Sequence, residues 1–131
     1  RDNESSATYQ SALLAYHHVF GQQSNPHLVF GNIHDFNDGL NVSHQLIKDA
    51  YIDGILATSD EVAAGLIKGY EESGNKCPYI IGQEHLLVGQ LLNLPTIDHK
   101  SYSLGKLAFK QALSESISQE VLISEFLSED K

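Results

Sequence analysis

Seven histidines and one cysteine are the residues of this chain best suited to ligate a metal or activate a nucleophile. Their spacing arranges them for neither. His17 and His18 are adjacent, so on a helix they point about 100° apart and cannot easily grip one ion. His27, His34, His44, His85 and His99 show no ligand spacing, and there is no His-Glu-x-x-His and no cysteine pair. Walker and Gly-x-Gly-x-x-Gly phosphate loops are missing, as is a Gly-x-Ser-x-Gly elbow. Cys77, beside Pro78, needs a histidine close in space to act as a nucleophile, and a packed or surface thiol is the simpler reading. The pattern points to binding rather than catalysis, with no catalytic residue, metal or cofactor expected.

Polar groups that can bind have to be positioned by the elements around them. Tyr9, Ala12, Leu13, Tyr16 and Phe20 recur at helical spacing, which predicts a helix over 5–20 capped by Ser5 or Ser6. A short buried strand over 27–30 follows. A helix over 35–49 comes next, with Asp35 or Asn37 as cap, Phe36, Leu40, Ser43 and Ile47 on one face and Leu46 beside them. Residues 52–58 read as a strand. They run into a helix over 60–73 with Val62, Ala63, Leu66, Ile67 and Tyr70 inward, and Gly74 stands where a left-handed C-cap is wanted. Further elements are a strand over 78–82, a short helix over 86–92, a strand over 94–98, a helix over 101–117 and a β-prone run over 120–127.

Alternation of this kind predicts an α/β fold: a mostly parallel sheet flanked by helices on both faces. In such sheets ligands sit beyond the carboxyl ends of the strands. That directs attention to residues 31–35, 58–60, 82–85 and 98–101.

The 131 residues suit one domain and carry 41% hydrophobic and 19% charged residues, a globular composition. A net charge of −9 repels phosphate, so these residues do not grip nucleic acid directly. No apolar run approaches the roughly 20 residues of a membrane span. One cysteine and no disulfide framework point to a reducing cytoplasm, and no targeting signal is visible.

The segment 52–74, Ile-Asp-Gly-Ile-Leu-Ala-Thr-Ser-Asp-Glu-Val-Ala-Ala-Gly-Leu-Ile-Lys-Gly-Tyr-Glu-Glu-Ser-Gly, resembles the best-marked stretch of LacI/GalR transcriptional regulators and of the related sugar-binding proteins of ABC transporters. In that pattern a buried strand ends in a small residue and an Asp, here Asp60, which caps the following helix. Ala63, Ala64 and Gly65 let that helix lie close to the sheet. Three more segments match in order: 5–16, then Ile80-Ile81-Gly82-Gln83-Glu84, then Leu94-Pro95-Thr96-Ile97 with the helix from Ser101.

The resemblance implies a periplasmic-binding-protein-like lobe, residues 1–131 being the second lobe of a sugar-effector domain with a returning tail over about 99–127. The DNA-binding headpiece and most of the first lobe then lie outside this sequence. It implies a cytoplasmic bacterial repressor that senses a sugar or sugar derivative, forms a homodimer, and meets operator DNA only through its headpiece. Carried over by position, the ligand-facing residues are Thr8, His34, Ser59, Glu84, His99 and Ser101, and Asp60 is a structural helix cap. Glu84 can accept two hydroxyl hydrogens from one sugar ring.

The sequence departs from the family where Ala12 replaces an effector-holding Arg, where Gln83 replaces an aromatic residue, and in the short 74–80 loop. Two other readings stay open: a solute-binding protein of a sugar transporter, and an α/β enzyme domain. The stripe Leu104, Leu107, Ala108 and Ala112 needs a cover, which predicts a dimer or a swapped tail.

Overall fold

The computed structural model describes residues 7–23, 31–49, 51–114 and 119–128, with Thr8 described by its backbone alone. The expected strand over 27–30 and the caps Ser5 and Ser6 lie outside the described residues. The chain divides into two compact units, Arg1–Ile33 and His34–Lys131. The first unit contains helix α1 (Ala7–Phe20). Along it Tyr16 stacks tilted against Phe20, their ring centres 4.7 Å apart.

The second unit opens with α2 (Phe36–Leu46). Asp35 caps it by accepting from the Asp38 amide at 2.9 Å, and the Asp38 carboxylate accepts from the His34 amide at 2.8 Å. This reciprocal arrangement satisfies two amides at the start of the helix. Strand β1 (Gly54–Leu56) leads into α3 (Asp60–Ser73), which ends at Gly74 with φ 70°, as the sequence requires. Then come β2 (Tyr79–Gln83), α4 (Leu87–Leu91), β3 (Thr96–Asp98), α5 (Ser101–Leu113) and β4 (Glu125–Leu127).

The sheet order is β1-β2-β3-β4. The first two pairings are parallel, with Ile55 beside Ile80 and Gly82 beside Thr96. The third is antiparallel, with Ile97 beside Phe126, so the tail returns as an edge strand. The fold is therefore a mixed α/β arrangement with a mostly parallel four-stranded sheet.

The core gathers Val42 and Leu46 from α2, Val62, Ala63, Ala64, Leu66 and Tyr70 from α3, and Ala57, Ile80 and Leu94 from the sheet region. The buried side of α2 is rotated from the expected one. Gly39, Val42, Ser43 and Leu46 are inside, while Phe36 is 39% exposed. The cause is the close crossing with α3. Cβ atoms added at Gly39 and Gly65 would collide with the backbone of the other helix, and one at Gly69 would meet the Ser43 side chain. The small residues Gly65 and Gly69 thus serve the α2–α3 contact rather than contact with the sheet. Ser43 is fully buried and satisfies its own hydroxyl by donating to the Leu40 carbonyl at 2.6 Å.

Helix α5 buries no residue among those described. Leu107 is half-buried, but Leu104, Tyr102, Phe109 and Leu113 stand well exposed. No described helix is long and apolar enough to cross a membrane.

Candidate functional site

Two parallel pairings bring the carboxyl ends of β1, β2 and β3 to one rim. Ser59 follows β1, Glu84 follows β2, and His99 and Ser101 follow β3. His34 is exposed in the loop before α2. Thr8 lies in α1, in the other unit. Four of the six residues singled out in the sequence therefore share the rim.

Ser59 is the N-cap of α3, its oxygen accepting from the Val62 amide at 3.2 Å. This corrects the expectation that Asp60 caps the helix. Asp60 is the first helical residue, and its carboxylate turns away from the helix amides into the protein, fully buried. There it accepts from the Leu86 amide and from the Thr96 hydroxyl, both at 2.7 Å. Gly82 and Gly89 press so closely on the carboxylate that a Cβ at either would clash with it. Ser59 uses an acceptor lone pair for its cap, and its O–H can still donate to a ligand.

Glu84 has φ 85° and His85 has φ 55°, two successive non-glycine residues in left-handed backbone. Such strain persists only where the surroundings over-determine it, and it clusters at ligand sites. Lys100, at the start of α5, has φ 55° and lies on the same rim. The Glu84 side chain is exposed there.

His99 is engaged at both ring nitrogens, Nδ1 to Ser124 Oγ and Nε2 to Gln83 Oε1, each at 3.0 Å. Gln83 Nε2 donates to the Ala57 carbonyl at 3.0 Å. That leaves Gln83 Oε1 as the acceptor, so His99 Nε2 carries a proton and, in the neutral ring, Nδ1 accepts from Ser124. The chain Ala57–Gln83–His99–Ser124 ties the ends of three strands to the tail. Lys100 Nζ adds an ion pair to Glu125 at 3.5 Å. Ser124 was not singled out in the sequence, and Gln83 was noted there only as a departure from the family, not as a ligand-facing residue. A Gln at the end of a strand carries no local signal of the bonds it makes across the sheet.

The described residues contain no cluster of three or more metal-ligating side chains. Cys77 is exposed, yet partial burial of the thiol, with the Glu71 carboxylate adding to it, pushes its pKa above the ordinary thiol value. Burial, then Cys77 and Asp49, push the Tyr70 phenol up as well. The folded chain thus holds both protons more tightly than the unfolded chain. The stability this contributes is whole below the ordinary values and is lost as pH rises above them through the raised, folded-state values. Cys77 is expected to alkylate with iodoacetamide more slowly than glutathione at pH 8, its rate climbing only at higher pH. A rate equal to or faster than that of glutathione would contradict this.

No family model matches the chain. Its fold is that of solved LacI-family transcriptional regulators. Among solved structures, a LacI family transcriptional regulator from Lactobacillus casei with bound sucrose superposes with a TM-score of 0.78 at 22% identity, covering 94% of this chain and 51% of that one. The transcription regulator CcpA of Lactococcus lactis superposes with a TM-score of 0.66 at 25% identity, covering 92% and 46%. In sequence, the chain is 31% identical over 116 residues to Catabolite control protein B of Bacillus subtilis (strain 168), covering 88% of this chain and 37% of that protein. The chain thus spans about half the length of the solved regulators and little more than a third of the curated relative. The similar proteins are transcriptional regulators, and none of these comparisons favours the transporter reading.

Proposed function

We propose that this chain is the effector-sensing part of a LacI-type transcriptional repressor and that it binds a sugar or sugar derivative. Residues 1–131 are the second lobe with its returning tail over about 99–127. The protein works in the bacterial cytoplasm as a homodimer, reaches operator DNA through a separate headpiece, and performs no catalysis. The observation that carries this reading is the shared rim of Ser59, Glu84, His99 and Ser101, with the strained Glu84–His85 turn at its centre. An exposed carboxylate and a donor-capable hydroxyl on one rim suit a polyhydroxylated ligand. Sucrose bound to the Lactobacillus casei regulator supports the class of ligand.

The test is calorimetry with sucrose, glucose and ribose, on this chain and on the full-length protein with its preceding residues. Micromolar binding by the full-length protein and weak or no binding by residues 1–131 is the expected result, because half of a two-lobed cleft is missing from the latter. Tight binding by residues 1–131 alone, or a preceding sequence that lacks a helix-turn-helix, counts against the reading. Sedimentation of residues 1–131 is expected to show concentration-dependent association through the open apolar surface of α5. A monomer at high concentration contradicts the dimer.

A further inference from the structure

Three successive amides in the Glu84–His85 turn are held from outside the turn. The Glu84 amide donates to the Ile97 carbonyl at 2.8 Å, His85 to Thr96 Oγ1 at 3.4 Å, and Leu86 to the Asp60 carboxylate at 2.7 Å. The second and third of these bonds meet at one group, because Thr96 Oγ1 also donates to Asp60 at 2.7 Å. Leu86 is the N-cap residue of α4, and its amide is held by Asp60 rather than by a group of its own helix. Gly82 and Gly89 fix the carboxylate from two sides.

We infer that Asp60 is the positioning residue of the ligand rim: it meets no ligand, but it holds the left-handed turn that presents Glu84. This rests on the rim being the ligand site. The physical reason is that two consecutive non-glycine residues with positive φ relax to ordinary backbone unless their amides are pinned. A buried carboxylate is a strong acceptor for that purpose, because its bonds to amide and hydroxyl are charge-assisted. It also couples the turn after β2 to the start of α3 and to the first residue of β3, so that Ser59 and Glu84 keep a fixed separation across the rim.

The experiment measures amide hydrogen exchange residue by residue in the full-length protein and in Asp60→Asn and Thr96→Val. Asn at 60 presents an N–H₂ group where the Leu86 amide or Thr96 hydroxyl needs an acceptor. Thr96→Val keeps the carboxylate but removes the acceptor of the His85 amide. Asp60→Asn is expected to speed exchange at Leu86 at least tenfold while the amides of Leu66 to Tyr70 in α3 keep their rates. Thr96→Val is expected to act first on His85. Unchanged rates over 84–86 in both variants, or an equal rise throughout α3, would overturn the inference, the second leaving Asp60 as a stabiliser only.

Titration with sucrose gives the functional arm. Asp60→Asn is expected to weaken binding at least tenfold, while Glu61→Gln, on the exposed side of the same turn, leaves it unchanged. Equal affinity of Asp60→Asn and the parent overturns the positioning role. If the parent protein binds no sugar, the site reading fails, and the exchange rates still decide whether Asp60 holds the turn.

Discussion

Gly65→Ala is expected to destabilise the protein by about 3 kcal/mol or more, at the upper end of the usual cost of overpacking. A Cβ at this position would run into the Phe36 carbonyl oxygen, with the Leu40 amide nitrogen at 2.8 Å and the Phe36 carbonyl carbon at 2.9 Å. All three obstacles are backbone, which cannot rotate aside as a side chain can. Relief requires α2 to lift off α3, and that contact buries Val42, Leu46, Val62 and Leu66.

Helix propensity pulls the other way, since alanine is better than glycine in a helix by about 1 kcal/mol. The steric term wins by a wide margin. Gly105→Ala is the matched control. It also lies inside a helix, α5, but its Cβ would meet nothing within 4 Å. It is expected to stabilise by roughly 0.5–1 kcal/mol, from propensity alone. Urea denaturation followed by circular dichroism reads both changes. Equal signs for the two variants would show that the α2–α3 crossing is not as close as described.

The second large effect concerns function. Glu84→Gln in the full-length protein is expected to weaken sugar binding about 10- to 100-fold, because a hydrogen bond to a charged group is worth about 1.5–3 kcal/mol. Stability should move by no more than about 0.5 kcal/mol, since the side chain is exposed. Glu84→Gly separates the two roles more sharply. With φ at 85°, the glutamate is held in backbone that glycine occupies freely. The glycine variant is therefore expected to gain about 1 kcal/mol of stability while losing the carboxylate and the ligand. Calorimetry alongside thermal melts checks both halves. Unaltered sugar affinity in Glu84→Gln would remove Glu84 from the site.

The local grammar of the chain was legible where one residue and its near neighbours decide the outcome. The span of α3, its left-handed stop at Gly74 and the cap of α2, narrowed to Asp35 or Asn37 and found at Asp35, follow from capping chemistry and periodicity within a few residues. The parallel order of β1, β2 and β3, and hence the rim shared by Ser59 and Glu84, follows from alternating helix and strand patterns.

Other features were set by contacts between segments distant in sequence. Asp60 reads locally as a cap, because an acidic residue at a helix start normally bonds the first amides. Ser59 takes that role, and the Asp60 carboxylate goes to partners 26 and 36 residues away. The small residues of α3 read as fitting the sheet, but Gly65 and Gly69 belong to the crossing with α2, which depends on how two helices meet. Gln83 gains its place from Ala57 and His99, neither of them near it in sequence. Sequence alone determined which backbone each segment adopts, because that energy is local. Tertiary structure decided where the buried polar groups send their bonds, because a group removed from water must take whatever partner the packed fold brings within reach.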